Sequence, residues 1–336
     1  MKAAVVTEFG TPLKIRDVPT PAPGPGELLV KLETSALCHT DIHAAHGDWP
    51  VKPHRPFVPG HEGIGRVETV GAGVVNRAVG DRVSVPWLGS ACGECDYCVG
   101  GREELCPRQH DIGYTRNGAF AEYAVVRSAF AIPVPGGISP VEAAPLTCAG
   151  LAAYKAVKLA RVAPTEIVAV FGIGGVGHLA LQYARLAGAF TVAVDVKDSK
   201  LAMAKELDAD HLVNAVRAEP DKAIQALGGA DVAIAAAAAP EAFQQAYHSL
   251  RRGGRLVCIG LPAHAHLTIP IHDTVFNGIT VLGTISGTRN DLAEVFTLHG
   301  AGRTRVIAME RKLDEVNAAI GELLAGDVPG RIVFQF

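Results

Sequence analysis

The chain has 336 residues, of which 49% are hydrophobic and 19% charged, and its formal net charge is −3. This length predicts two globular domains, and a slightly acidic chain without a basic block is not expected to bind nucleic acid. No apolar run is long enough to cross a bilayer, and the first residues lack the apolar core of a signal peptide. We therefore expect a cytoplasmic protein with no membrane partner.

The first segment with candidate metal ligands begins at Cys38 and reads CHTDIHAAHGDWP. It is followed by PGHEGIGRV, which contains His61 and Glu62, and later by Cys148 at the expected start of a helix. Two thiolates and one imidazole form the Cys₂His ligand set of a catalytic zinc, which keeps a fourth position open. Cys148 alone would be a small buried side chain and His61 alone a turn residue. Their joint presence predicts a catalytic metal site.

Four of the seven cysteines follow within one short stretch with the spacing C-x2-C-x2-C-x7-C. Four thiolates so spaced are typical of a closed structural zinc site. The nearest alternative is an iron–sulfur cluster, whose bacterial motif has three residues before the last cysteine where this chain has seven. Disulfides are not expected in a reducing compartment. The predicted ligands of the structural zinc are Cys92, Cys95, Cys98 and Cys106.

A glycine motif opens a second unit. The apolar run Ile167–Phe171 predicts a buried strand, and G-x-G-x-x-G follows, with a helix expected through Leu186. The three motif glycines are Gly172, Gly174 and Gly177. Such glycines let a pyrophosphate approach a helix N-terminus, and Asp195, after the next strand, suits a ribose 2′-hydroxyl. Because a carboxylate repels a 2′-phosphate, we expect NAD and not NADP; the alternative for Asp195 is an acid exposed at a strand end.

Further strands are predicted along this unit, at His211–Asn214, Asp231–Ala236, Arg255–Gly260 and Ile279–Gly283. With the first two they make six, enough for a doubly wound parallel sheet in an α/β protein. We expect residues 1–153 to form a catalytic domain with both zinc sites and 154–288 to bind NAD. Residues 289–336 should return to the catalytic domain, because the final GRIVFQF predicts another strand.

These motifs together resemble the zinc-dependent medium-chain alcohol dehydrogenases, and most of all the bacterial ethanol-type (propanol-preferring) enzymes, over the whole chain. The resemblance implies a GroES-like β-barrel fold for the catalytic domain, a six-stranded Rossmann domain and a homotetramer. It implies catalytic zinc ligands at Cys38, His61 and Cys148, with Glu62 as an occasional ligand. It also implies an orienting carboxylate at Asp41 and a proton relay through Thr40 and His43.

The cofactor and substrate contacts implied by the resemblance are spread along the chain. Pyrophosphate contacts are implied for His39 and Arg331, a ribose contact for Lys200, and nicotinamide packing for Val176. Trp49 and Trp87 match aromatic walls of a small alcohol pocket. Ala152 departs from the pattern, since relatives often carry a threonine there against the nicotinamide.

The implied activity is the reversible oxidation of small primary alcohols to aldehydes by hydride transfer to NAD, with two Zn²⁺ per chain. One alternative is a zinc dehydrogenase for an aromatic alcohol, a polyol or a formaldehyde-related substrate. Another is a non-catalytic, NAD-sensing zinc protein, which the joint presence of metal ligands and relay residues disfavours.

Overall fold

The computed structural model describes residues 1–263 and 265–336, which divide into two compact units. The first unit comprises Met1–Leu151, Ser286–Gly302 and Val306–Phe336, and the second comprises Ala152–Ile285 and Arg303–Arg305. The first unit is therefore discontinuous in sequence. Within the described ranges, no helix combines the length and apolar character needed to cross a bilayer.

Short elements connected by turns make up the chain. The strands before residue 130 are β1 (Lys2–Val5), β2 (Lys14–Asp17), β3 (Glu27–Leu37), β4 (Glu62–Val70), β5 (Arg82–Pro86), β6 (Leu88–Ser90), β7 (His110–Asp111) and β8 (Tyr123–Arg127). The α-helices before residue 160 are α1 (His39–His46), α2 (Asp96–Val99), α3 (Pro140–Pro145) and α4 (Leu151–Leu159). The next strands are β9 (Ile167–Phe171), β10 (Phe190–Asp195), β11 (His211–Asn214), β12 (Ala230–Ala235), β13 (Leu250–Cys258) and β14 (Thr280–Gly283). Between them lie α5 (Gly177–Leu186), α6 (Asp198–Glu206), α7 (Pro220–Ala226), α8 (Pro240–His248) and α9 (Ile271–Asn277). The C-terminal elements are α10 (Arg289–Gly300), β15 (Ala308–Lys312), α11 (Val316–Leu324) and β16 (Arg331–Gln335).

The main sheet of the first unit has the order β15-β16-β3-β4-β5, and β8 also pairs with β3. The long strand β3 runs antiparallel to β4 and β16, with Ser35 opposite Gly63 and Leu37 opposite Ile332. This register places the end of β3 next to the beginnings of both partner strands. Three segments that lie far apart in sequence therefore meet where β3 ends, just before Cys38.

The second unit contains a six-stranded sheet in the order β11-β10-β9-β12-β13-β14, and every pair in it is parallel. This is the strand order of a doubly wound nucleotide-binding fold, and it confirms the predicted α/β class and the six strands. One boundary prediction is wrong: β13 begins at Leu250 and not at Arg255. The register between β12 and β13 shifts after Ala230, so β13 continues through Gly253 and Gly254 as an irregular pairing.

Candidate metal and cofactor sites

The first thiol cluster lies on the loop between β6 and β7. The four predicted sulfur atoms lie within 4.8 Å of one another. Cys98 Sγ is 3.5 Å from Cys95 Sγ and 3.8 Å from Cys92 Sγ. Sulfur atoms bound at about 2.3 Å to a tetrahedral Zn²⁺ are about 3.8 Å apart. The cluster therefore fits one zinc ion.

Backbone amides hold these sulfurs in place, and the thiols differ in pKa because their surroundings differ. The N–H of Cys95 donates to Cys92 Sγ over 3.3 Å, and the N–H of Arg108 donates to Cys106 Sγ over 3.4 Å. Hydrogen bonds from the backbone of Glu94 and Cys95 lower the pKa of Cys92 to about 6, whereas desolvation raises the pKa of Cys98 to about 12. All four sulfurs become thiolates together only when a bound cation compensates their charge.

The second cluster lies where β3 ends and β4 begins. The sulfurs of Cys38 and Cys148, a nitrogen of His61 and an oxygen of Glu62 lie within 4.8 Å of one another. His61 Nε2 is 3.3 Å from Cys148 Sγ. Cys38, His61 and Glu62 are buried, so the protein keeps this set of soft and acidic donors away from bulk water.

Asp41 connects three parts of this cluster through one buried carboxylate. Its Oδ2 accepts from the Cys38 N–H at 3.0 Å, and its Oδ1 accepts from the Gly60 N–H at 3.0 Å. Oδ1 also lies 2.8 Å from His61 Nδ1. A carboxylate on Nδ1 selects the tautomer with its proton on that nitrogen, which leaves Nε2 to bind a metal.

Glu62 is held at the back of the same cluster. Its Oε1 accepts from the Ala149 N–H at 3.2 Å, and its Oε2 accepts from Arg331 Nη2. Burial raises the pKa of Glu62 to about 7, against the opposing charge of Arg331. Cys148 lies in a π-helical turn, Leu146–Gly150, a rare geometry that is frequent at functional sites. The turn directs both the Cys148 sulfur and the Ala149 N–H toward the cluster, where the N–H meets Glu62.

The two thiols of this cluster influence each other's protonation. A hydrogen bond from Cys148 lowers the pKa of Cys38 well below its usual value, and the same bond raises the pKa of Cys148. Two sulfurs and one imidazole nitrogen around a common point fit the Cys₂His set of a catalytic zinc site. A zinc ion held by Cys38, His61 and Cys148 would keep its fourth position open, while Glu62, which Arg331 and the Ala149 N–H engage, stays close behind as an occasional ligand.

Helix α1 carries the predicted relay residues immediately after Cys38. His39 is exposed and Thr40 is half-buried in its first turn. His43 follows one turn later, with Nδ1 2.8 Å from Asp48 Oδ2. The Trp49 ring stacks on His43, with 5.5 Å between ring centroids. The segment thus presents both relay residues on the helix that begins at a metal ligand.

An aromatic wall lies beside the second cluster. Trp87 contacts His61 edge-on, with ring centroids 5.3 Å apart, and also packs against Trp49 at 6.4 Å. Tyr114 completes the group at 5.5 Å from Trp49 and 5.7 Å from Trp87. Tyr114 is not among the predicted pocket residues, because it belongs to no sequence motif and follows both tryptophans at a distance along the chain. Only the fold brings the three rings together.

In the second unit, the glycine motif joins β9 to α5. A Cβ on Gly177 would lie 1.9 Å from the Gly172 carbonyl oxygen, so only glycine fits there, while Gly174 faces open space. Asp195 ends β10, where its Oδ2 accepts from the Ile173 N–H at 2.7 Å and its Oδ1 from the Lys197 N–H at 3.0 Å. A tight loop, a helix N-terminus and a fixed carboxylate are the parts that hold a dinucleotide.

The remaining predicted contacts lie at separate places. Val176 immediately precedes α5, and Lys200 is buried on α6. Ala152 is half-buried on α4. Arg331 is 5% exposed, and its Nε atom has no hydrogen-bond partner in the part of the chain that the structure describes. The roles predicted for these residues stay predictions.

Comparison with known proteins agrees with this geometry. Residues 24–136 match the family described as alcohol dehydrogenase GroES-like domain, and residues 175–300 match zinc-binding dehydrogenase. An alcohol dehydrogenase of Geobacillus stearothermophilus is 49% identical over 100% of this chain and 99% of its own length. The solved alcohol dehydrogenase of Aeropyrum pernix is 34% identical, with a TM-score of 0.93 over 100% of both chains. A second solved structure, described as an NAD-dependent alcohol dehydrogenase, is 30% identical with a TM-score of 0.92, also over 100% of both chains.

The fold and the two thiolate clusters define the class of protein: it is a zinc-dependent dehydrogenase, and so an oxidoreductase. The chain belongs to the zinc-dependent medium-chain alcohol dehydrogenases. Membership confirms the resemblance drawn from the sequence and the GroES-like character of the first domain. With two clusters that each fit one ion, it also confirms the expectation of two zinc sites per chain.

Proposed function

We propose that this protein oxidises small primary alcohols to aldehydes, reversibly, with NAD as the hydride acceptor. The observation that carries the proposal is the Cys38–His61–Cys148 cluster, with Cys38 and His61 buried and Cys148 partly buried, in which Arg331 engages the neighbouring carboxylate of Glu62. This arrangement leaves a position for a substrate oxygen, as in catalytic zinc sites. The similarity to alcohol dehydrogenases over the full chain supports the reaction class.

The bound groups supply the bond-making chemistry: zinc is a Lewis acid for an alcohol oxygen, and the nicotinamide accepts hydride. The protein's own residues orient and exchange protons. Asp41 fixes the His61 ring so that Nε2 points into the cluster. Trp49, Trp87 and Tyr114 exclude water and favour a small apolar substituent.

The Thr40 hydroxyl both donates and accepts, and His43 passes the proton to solvent.

Selection of NAD is assigned to Asp195, whose carboxylate is fixed at the end of β10 by two backbone N–H groups. A 2′-phosphate at that place would meet a negative charge that cannot move aside.

The glycine loop supports binding of the pyrophosphate, and His39 and Arg331 are proposed to contact it as well. Lys200 is proposed as the ribose contact and Val176 as the nicotinamide contact. Accordingly, we assign NAD binding to residues 154–288 and catalysis to 1–153 and 289–336.

The test is direct. Purified protein is mixed with NAD⁺ and a panel of primary, secondary, aromatic and polyhydric alcohols, and reduced nicotinamide is followed by its near-ultraviolet absorbance. Small primary alcohols should give the highest kcat/KM, and NADP⁺ should be a much poorer acceptor. Cys258→Ala, a cysteine variant outside both clusters, is the matched control and should keep wild-type turnover. No reduction with any alcohol, or equal efficiency with both cofactors, would contradict the corresponding part of the proposal.

We further propose a homotetramer working in the cytoplasm, with no nucleic-acid or membrane partner. Helix α9 carries exposed apolar side chains, with Ile271 80%, Val275 71% and Phe276 71% exposed, and the next element along the chain, β14, is an edge strand of its sheet. Apolar patches and open sheet edges are typical of surfaces that associate. All seven cysteines are free thiols, which suits a reducing compartment. Light scattering should give the mass of four chains, and Phe276→Asp should lower it.

A further inference from the structure

Asp48 holds the ring of His43 at one edge. Helix α1 ends at His46, and Gly47 takes a left-handed conformation with φ of 71°. The N–H groups of Gly47 and Asp48 both donate to the His43 carbonyl oxygen, at 2.9 and 3.1 Å. This helix end turns the chain back on itself, so that the Asp48 carboxylate lies 2.8 Å from His43 Nδ1.

Trp49 holds the same ring on its face. The two rings are stacked with an interplanar angle of 29°, and Trp49 is in turn packed against Trp87 and Tyr114. The side chain of His43 is 17% exposed and that of Asp48 29%. The ring is therefore fixed at an edge and on a face, while a route to water remains.

The contact with Asp48 decides which ring nitrogen of His43 can act as a base. A carboxylate has only acceptors, so Nδ1 carries the hydrogen and Nε2 carries the lone pair. We propose that Asp48 is a positioning residue that keeps Nε2 of His43 ready to receive a proton during alcohol oxidation. This inference rests on the function proposed above, and it names Asp48, a residue outside the predicted site, as the group that orients the His43 ring.

The kinetic test uses Asp48→Ala and Asp48→Asn in the wild-type and His43→Gln backgrounds. His43→Gln should slow alcohol oxidation by at most about 10²-fold, and Asp48→Ala by roughly tenfold, since positioning supports but does not replace general base catalysis. The loss should be in kcat, with KM for the alcohol unchanged. In the His43→Gln background, Asp48→Ala should cause no further loss, and a small amine base should restore part of the rate of both single variants.

A structural role for Asp48 predicts a different result. Its removal would then cost the same in both backgrounds, and no added base would restore the rate. Asp48→Asn keeps the shape of the side chain and guards against a folding defect in Asp48→Ala. The control is Asp314→Ala, which removes an exposed carboxylate paired with Lys2 and should leave turnover unchanged.

The second readout is independent of turnover. Nitrogen-15 correlation spectra of the histidine rings, without cofactor, report which nitrogen carries the proton, and His43→Gln identifies the signal. The wild type should have the proton on Nδ1, and Asp48→Ala should shift the population toward Nε2. The same tautomer in both proteins overturns the inference. An inactive wild type with the expected shift would contradict the proposed function alone.

Discussion

The two metal clusters of the first unit are built in opposite ways. Cys92, Cys95, Cys98 and Cys106 lie within one loop, and three of the four are partly exposed. The other cluster takes its donors from three distant segments, and a buried network around Asp41 and Arg331 surrounds them.

This difference assigns different work to the two ions. The loop cluster has turns and backbone N–H groups but little apolar burial, so its geometry depends on the bound cation. The buried cluster has hydrogen-bond partners for its histidine and carboxylates within the protein itself, so the fold prepares the site before the ion binds. We expect metal loss to affect stability mainly at the first cluster and activity mainly at the second.

The largest effect should follow Cys148→Ala, which breaks the buried cluster. We expect turnover to fall by roughly 10³-fold or more, since Lewis-acid stabilisation contributes several kcal/mol and each 1.4 kcal/mol is about tenfold. Binding of reduced cofactor, followed by fluorescence, should persist, because the glycine loop is unchanged. Near wild-type turnover in a soluble variant would mean that Cys148 is only a packing residue.

Cys95→Ser should break the loop cluster instead. Metal analysis should find one zinc per chain where the wild type holds two. The free energy of unfolding should fall by several kcal/mol, because the binding free energy of a structural zinc is on the order of 10 kcal/mol. Iron in the wild type, or an unchanged zinc content in the variant, would exclude the structural zinc assignment.

Arg331→Leu tests how much the buried ion pair between Arg331 and Glu62 contributes to the stability of the fold. The variant leaves the buried Glu62 carboxylate without its guanidinium, a change that costs about 3–5 kcal/mol in buried pairs. The double variant Glu62→Gln with Arg331→Leu should recover much of that loss, since it removes both charges. Chemical denaturation of the three proteins gives the comparison, and equal losses in both variants would argue against an ion pair.

The smallest effect should come from an ion pair remote from both clusters. Arg82 donates two hydrogen bonds to Glu33, at 2.7 and 2.9 Å, and lowers the pKa of Glu33 below its ordinary value of 4.5. A carboxyl group whose pKa is lower in the folded protein stabilises the fold at any pH above its pKa in the unfolded chain. This stabilisation is lost as the pH falls through the pKa of the group in the folded protein. Glu33→Gln should therefore cost about 0.5–1 kcal/mol at neutral pH, and the difference from wild type should vanish in acid. A difference that stays constant with pH would point to packing.

The sequence alone was sufficient for features that depend on local spacing. Thiols two residues apart share a turn, so the loop cluster was readable directly from C-x2-C-x2-C. The glycine motif, its flanking strand and helix, and Asp195 were equally local, and the six strands of the second unit were found because buried parallel strands are short apolar runs. The start of β13 was missed, because a register shift has no sequence signal of its own.

Only the tertiary structure decided which distant residues meet. The antiparallel register of β3 with β4 and β16 brings Cys38, Glu62 and Arg331 together at the ends of three neighbouring strands. Periodicity within each strand carries no information about that pairing. The contacts of Tyr114 with the tryptophans and of Asp48 with His43 depend likewise on how the chain turns back at a helix end or crosses a sheet. Local patterns specify elements and ligand types, while long-range packing sets the distances and partners on which the chemistry of the site depends.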